Sequence, residues 1–132
     1  MTVGAELTAF AVRPEEKAAF SPERFAAVRL AQTDRYKVMV LGFRPGQFIP
    51  VHTPGIDLLA LVLRGRGYAE VDGERVPLEP GVLFAAPRHV SRGIFGEEEL
   101  VVLAYVSPPP GPGDHEGVDE GLRAGRFQAG AQ

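Results

Sequence analysis

Cysteine is absent from the 132-residue sequence. Its absence excludes disulfide bonds, thiolate nucleophiles and cysteine-ligated metal, so any metal ion would need histidine or carboxylate ligands. The length suits one domain with its own apolar core and is too short for two.

Long apolar stretches and a basic face are also missing. The longest unbroken apolar run, Leu58 to Leu63, is far too short to cross a bilayer. No charged region followed by an apolar segment opens the chain, so no signal peptide is predicted and a cytoplasmic location is expected. The formal net charge is −3, and the basic residues are scattered among acidic ones. We therefore expect no membrane partner and no nucleic-acid partner.

The chain does contain short apolar segments that are separated by turn residues. One hairpin is predicted from Phe25 to Leu41, around the polar break at residues 32–34. A second is predicted from Tyr68 to Leu78, around the dipeptide Asp72-Gly73. Further breaks recur at intervals of roughly 8 to 12 residues, which is typical of an all-β barrel or sandwich.

One segment, Ile56 to Leu63, is apolar on both faces rather than alternating. A strand of this kind is normally covered on both sides. One face would point into the barrel, so the other must meet an added strand or a second subunit. Together with the apolar hairpin from Phe25 to Leu41, this pattern predicts a homodimer.

The predicted organisation has three parts: an N-terminal extension (residues 1–23), a β-barrel (residues 24–106) and a Pro/Gly-rich C-terminal tail (residues 107–132). Within the extension, Pro14 can begin a helical turn. The prolines that follow Ser107 cannot continue a ladder of strands, so they end the barrel.

The tail carries apolar residues close to one helical face. They are Val118, Leu122 and Phe127. Their spacing predicts that the tail folds back onto the barrel or onto a partner subunit.

Two patterns in the middle of the chain resemble the sequence motifs of the cupin superfamily. The first motif runs glycine, five residues, His-x-His, three or four residues, glutamate, six residues and glycine. Gly46, His52 and Gly65 match its first glycine, first histidine and last glycine. The second runs glycine, five residues, Pro-x-Gly, two residues and histidine, and Gly81 and Pro87 match its first glycine and its proline. The resemblance covers about residues 36–106.

The resemblance implies an all-β fold, a small antiparallel double-stranded β-helix of the jelly-roll type. An N-terminal β extension and an extended C-terminal tail would be added to this barrel. In metal-binding cupins, the histidines and the glutamate of the motifs hold iron, manganese, zinc or nickel. Here Pro54 takes the place of the second histidine, Leu58 that of the glutamate and Arg92 that of the last histidine. His52 is the one metal-ligand position that remains, so no metal cofactor is expected.

Five residues are candidate ligand contacts: His52, Asp57, His89, Arg92 and His115. Arg92 is the most informative, because a guanidinium in an apolar barrel keeps its charge and needs an anionic or strongly polar partner. Asp57 could be that partner within the chain, and a bound carboxylate or phosphate is the alternative. A third interpretation places Arg92 at a strand end, extending into solvent.

The sequence is compatible with three functions. The first is a metal-free module that binds a small molecule, with an anion such as a carboxylate as the candidate ligand. The second is a metal-dependent enzyme of the dioxygenase or isomerase type, in which a divalent transition metal is held by His52 with His89, His115 or a carboxylate. The third is a structural protein that builds an oligomer. No catalytic residue can be assigned from the sequence.

Overall fold

The computed structural model describes residues 10–111 and 116–128. Within them the chain forms nine strands: β1 (Ala26–Gln32), β2 (Lys37–Phe43), β3 (Phe48–His52), β4 (Asp57–Arg64), β5 (Gly67–Val71), β6 (Glu74–Leu78), β7 (Leu83–Ala86), β8 (Arg92–Gly96) and β9 (Leu100–Ser107). A 3-10 turn, Pro14–Lys17, precedes them, and helix α1, Glu116–Ala124, follows them. The predicted helical turn at Pro14 is confirmed. No helix in the described part of the chain is long and apolar enough to span a membrane.

The strands form two antiparallel sheets. The five-stranded sheet has the order β1-β2-β9-β4-β7, and the four-stranded sheet has the order β3-β8-β5-β6. The predicted all-β jelly-roll fold is confirmed. Both predicted hairpins are present as the pairs β1–β2 and β5–β6. The second turns through Asp72 and Gly73, whose φ angles of 53° and 81° are the positive values that a tight two-residue hairpin turn requires.

The core lies between the two sheets and is built by the two-residue period of the strands. In β4, Leu58, Ala60 and Val62 point inward and are buried. The residues between them point to the outer face, where Leu59 is 45% exposed. The sequence suggested that both faces of this segment are covered, and within one chain the inner face alone is fully covered. Leu83 on the neighbouring β7 is 63% exposed on the same outer face.

The N-terminal segment crosses the outer face of β2. A side chain at Gly42 would collide with the carbonyl oxygen of Ala19, so glycine permits this close passage. Gln47 fixes the segment further, since its Nε2 donates to the carbonyl of Ser21 at 2.7 Å. β1, which lies within the predicted barrel (residues 24–106), is an edge strand of the five-stranded sheet, whereas the described part of the predicted N-terminal extension, residues 10–23, contains no strand.

The C-terminal tail folds back onto the barrel, as predicted. Val118 is buried, and the backbone N–H of Val51 donates to the carbonyl of Phe127 at 2.7 Å. This hydrogen bond satisfies a donor of β3, which is an edge strand. The tail is not extended throughout, as the predicted fold class had it, because residues 116–124 are helical. A helix lets Val118 and Leu122, four residues apart, share one side.

Helix α1 approaches β3 through two glycines. A Cβ atom on Gly117 would lie 3.1 Å from the Cβ of His52, and one on Gly121 would lie 2.6 Å from the Cβ of Pro50. The second distance is shorter than real Cβ contacts, so a side chain at this position would push the helix away from the strand.

We predict that Gly121→Ala loosens the docking of α1, although alanine improves intrinsic helix propensity by about 1 kcal/mol. Tryptic cleavage after the exposed Arg123 measures this docking, because a protease needs a locally opened helix. Cleavage should be faster in Gly121→Ala than in the natural chain. Glu120→Ala, on the exposed side of the same helix, is the matched control and should not accelerate it. Equal cleavage rates in the two variants would contradict the packing argument.

Candidate ligand-binding site

His52 and Arg92 lie opposite each other on the adjacent strands β3 and β8. The pairing is regular from Phe48 to Ile49 and then shifts by one residue, which places His52 rather than Val51 opposite Arg92. Pro50 lies within this irregularity, as expected for a residue that has no N–H to donate to a ladder. Both side chains line one cavity of about 380 Å³. The register of the two motifs predicts that both residues project from neighbouring strands toward one cavity, and this prediction is confirmed.

The cavity is apolar in its interior and charged at a few positions. Its wall includes side chains from both sheets and from helix α1, among them Phe25, Met39, Leu41, Ile49, Leu58, Ile94, Val106 and Val118. The charged residues of the wall are Arg24, Lys37, Arg92 and Asp119. Such a combination of apolar surface and a few polar groups is typical of small-molecule sites.

Arg92 is buried, with 3% of its surface exposed. Its Nε donates to the carbonyl of Val90 at 2.8 Å. Its Nη2 donates to the carbonyls of Ile56 at 3.0 Å, Ala86 at 3.0 Å and Pro87 at 2.8 Å. The interpretation that Arg92 extends into solvent is therefore wrong. Side chains two residues apart in a strand lie on the same face, so Arg92 points inward together with the buried Ile94.

The guanidinium of Arg92 joins the two sheets. Arg92 belongs to β8 of the four-stranded sheet, whereas Ile56 immediately precedes β4 and Ala86 ends β7, two strands of the five-stranded sheet. The pairing of β4 with β7 ends at Leu58 and Ala86, so carbonyls beside this end of the ladder need another donor. Arg92 supplies it.

Asp57 is not a hydrogen-bonded partner of Arg92. Its Oδ1 accepts from the backbone N–H of Arg88 at 2.8 Å and lies 3.9 Å from the Nε of Arg88. Asp57 comes at the start of β4, where its half-exposed side chain turns toward the loop after Pro87. Burial lowers the pKa of Arg92, and the nearby negative charge of Asp57 opposes this shift by raising it. The guanidinium nevertheless stays protonated, since arginine titrates far above neutral pH.

One nitrogen of Arg92 has no acceptor among the described residues. The hydrogen bonds that these residues provide go to Nε and Nη2, and none goes to Nη1. The guanidinium thus presents two N–H donors and a positive charge that no hydrogen-bonded carboxylate in the described ranges balances. This arrangement can bind an anion.

His52 is held by its own strand. Its Nδ1 lies 2.8 Å from the carbonyl oxygen of Pro50. Because a carbonyl can only accept, Nδ1 carries the hydrogen, and the orientation of the ring is fixed by this bond.

The other candidate residues lie elsewhere. Asp57 and His89 do not line the cavity. His89 is exposed on the loop between β7 and β8 with a φ of 68°, and its N–H donates to the carbonyl of Pro54 at 2.9 Å. His115 lies outside the described residues.

Sequence reasoning missed three charged residues of the cavity wall. They are Arg24, Lys37 and Asp119. Lys37 carried a signal, because it precedes Met39 and Leu41 at the two-residue period of the inward face of β2. Arg24 and Asp119 carried none, since they meet only in the folded chain, where Arg24 Nη1 and Asp119 Oδ1 are 3.9 Å apart.

The fold is shared with several solved structures. TT1209 of Thermus thermophilus superposes with a TM-score of 0.73 at 26% identity, covering 76% of this chain and 98% of its own. An RmlC-like cupin of Desulfovibrio desulfuricans superposes with a TM-score of 0.62 at 26% identity, covering 82% and 99%. The chain is a member of the cupin superfamily.

Another similar structure is KdgF of a Halomonas species, with a TM-score of 0.67 at 24% identity, covering 78% of this cupin and 96% of KdgF. No protein-family model and no curated protein sequence matches the chain. The comparisons therefore support the fold and superfamily deduced from Gly46, His52, Gly65, Gly81 and Pro87.

The described residues of this cupin do not fit a metal ion. They contain no group of three histidine, aspartate or glutamate side chains that could hold one. At the position of the last motif histidine, the guanidinium of Arg92 donates to carbonyls and repels a cation, whereas a metal ligand must offer a lone pair.

We predict that Arg92→Met lowers the free energy of unfolding by about 2 to 4 kcal/mol, because buried carbonyl oxygens lose their donor at about 1 to 3 kcal/mol each, while removal of a buried charge offsets part of that loss. Chemical denaturation measures the change. Arg88→Met is the matched control: the side chain of Arg88 is 58% exposed, so this variant should lose less than about 1 kcal/mol. Equal losses would show that the Arg92 hydrogen bonds contribute no more than a surface ion pair.

Proposed function

We propose that this cupin is a metal-independent binding module for a small organic acid with an apolar body. The observation that carries the proposal is the buried guanidinium of Arg92, whose Nη1 has no acceptor among the described residues. A fixed cation in an apolar cavity favours a ligand that brings a carboxylate, because the N–H groups of Nη1 can donate to it and the guanidinium supplies the opposite charge.

The charges of the cavity wall support the same class of ligand. Arg24 is paired with Asp119, while Lys37 has no ion-pair partner among the described residues. Three cations against one carboxylate leave the cavity positive. The surrounding aliphatic and aromatic side chains suit an apolar body, and about 380 Å³ accommodates a ligand of moderate size.

Three probes with the same ring separate charge from apolar contact: benzoate, benzyl alcohol and benzylamine. We expect benzoate alone to stabilise the protein, by about 1.4 kcal/mol at ten times its Kd, because it binds the folded state. Thermal unfolding and titration calorimetry measure this, at constant ionic strength and after dialysis against a chelator.

Two variants locate the binding. Arg92→Met should abolish benzoate-dependent stabilisation, whereas Arg88→Met should preserve it. Because Arg92→Met also weakens the fold, Ala104→Leu serves as a second variant that fills the cavity wall and leaves the guanidinium in place. Equal stabilisation by benzyl alcohol, or stabilisation that survives in both Arg92→Met and Ala104→Leu, would contradict the proposal.

A metal-dependent enzyme, of the dioxygenase or isomerase type, is the competing function. It would have to combine His52 with ligands beyond those that the described residues bring together. Elemental analysis of protein purified without chelator or histidine tag decides between the two functions. One equivalent of transition metal that disappears in His52→Ala would favour the enzyme.

We also propose that the protein forms a homodimer through the outer face of the five-stranded sheet. Leu59 is 45% and Leu83 is 63% exposed, and Leu61 pairs directly with Leu83. This aliphatic patch carries no charged side chain between residues 58 and 63 of β4 or within β7. In a two-fold contact, a second copy would bury this apolar patch against its own equivalent patch, whereas a monomer leaves it in solvent.

The cytoplasmic location stays a prediction of the sequence.

We expect light scattering at micromolar concentration to give the dimer mass for the natural chain and the monomer mass for Leu59→Lys/Leu83→Lys, because burying two lysines without partners is costly. Glu74→Lys, an exposed position of the other sheet, is the charge-changing control and should stay dimeric. A monomeric natural chain would contradict the proposal.

A further inference from the structure

Helix α1 forms part of the cavity wall. Val118 and Asp119, two successive residues of the helix, line the cavity together with Arg92 and His52. Val118 is 5% exposed, so its side chain is buried against the barrel rather than directed to solvent. A ligand that fills the cavity therefore contacts the helix as well as the strands.

Helix α1 is a poor helix on its own. It has nine residues, whereas isolated helices shorter than about 12 to 15 residues are marginal in water. Two of the nine are glycine, the weakest helix former apart from proline. The helix consequently depends on its docking to β3, where the glycines permit close approach to Pro50 and His52.

Among the described residues, α1 is held over the cavity by its packing on β3 and by one ion pair. The ion pair between Arg24 and Asp119 is long, at 3.9 Å, and both side chains are about half exposed. Such a pair contributes little to stability. By contrast, the residues that follow the helix are better fixed, because Phe127 packs edge-on against Phe48, Tyr68 and Phe95.

We propose that helix α1 is a gate of the cavity, which undocks to admit the ligand and redocks against it. This inference rests on the proposed binding function and adds its regulation: the occupied cavity gives Val118 a partner, so binding and helix docking stabilise each other. The gate opens by loss of the α1 contacts to β3, while the aromatic contacts of Phe127 keep the tail attached.

The fluorescent anion 8-anilinonaphthalene-1-sulfonate is a suitable probe, because it combines an apolar ring system with one sulfonate. Stopped-flow fluorescence measures its association. In the natural chain we expect an observed rate that saturates with probe concentration, since opening of α1 becomes limiting. In Gly121→Ala the rate should be higher and should not saturate. Affinity should fall about tenfold, the equivalent of about 1.4 kcal/mol of lost docking. Glu120→Ala should behave as the natural chain.

A second measurement does not depend on a mutation. Benzoate or the sulfonate probe should slow tryptic cleavage after Arg123 in the natural chain, because the bound anion holds α1 closed. Ala104→Leu, in which the cavity is filled, should show no such protection. Any protection that remains in this variant would come from an anion bound outside the cavity.

The two proposals fail in different ways. If neither anion binds the natural chain, the proposed function is wrong and the gate has no ligand. If an anion binds through Arg92 but associates at the same rate in Gly121→Ala, Glu120→Ala and the natural chain, and leaves cleavage after Arg123 unchanged, the gate is wrong and the binding function stands.

Discussion

The architecture depends on one guanidinium. Arg92 extends from β8 and donates to the carbonyls of Ile56, just before β4, and of Ala86, the last residue of β7, so a single side chain connects the two sheets by hydrogen bonds. Aliphatic residues could fill the same volume but could not satisfy those carbonyls. The cost is a permanent positive charge in an apolar cavity, which the strand-end carbonyls stabilise by their dipoles but do not neutralise.

That charge gives the degenerate cupin motif a chemical meaning. In metal-binding members of the superfamily, the motif residues collect a metal cation inside the barrel. In this chain Pro54 and Leu58 have lost the lone pairs that a metal needs, and Arg92 stands at the position of the last ligand. Arg92 thus places a fixed positive charge where those members place a metal ligand. Under the proposed function, this charge would serve anion recognition without the coordination positions that a metal ion supplies.

The backbone of the site could be predicted, but the polar contacts could not. The apolar periodicity and the Asp72-Gly73 turn sufficed for the hairpins, and motif spacing sufficed to place His52 beside Arg92. The carbonyls that accept from Arg92 belong to residues between 2 and 36 positions away along the chain, and backbone acceptors leave no mark in a sequence. Asp57 appeared to be the partner because it is acidic and close in the motif. The carboxylate of Asp57 instead accepts from the backbone N–H of Arg88, a donor that the loop presents only in the folded chain.

The C-terminal segment links protection of a sheet edge to access to the cavity. β3 is an edge strand, and an uncovered edge invites pairing with other chains. The carbonyl of Phe127 covers one of its donors, and the aromatic cluster with Phe48 and Phe95 fixes that contact. Helix α1 lies just before this anchor, and its ion pair with Arg24 is long and half exposed. If α1 undocks as proposed, the anchor at Phe127 keeps the edge covered while the cavity opens, so the two tasks do not conflict.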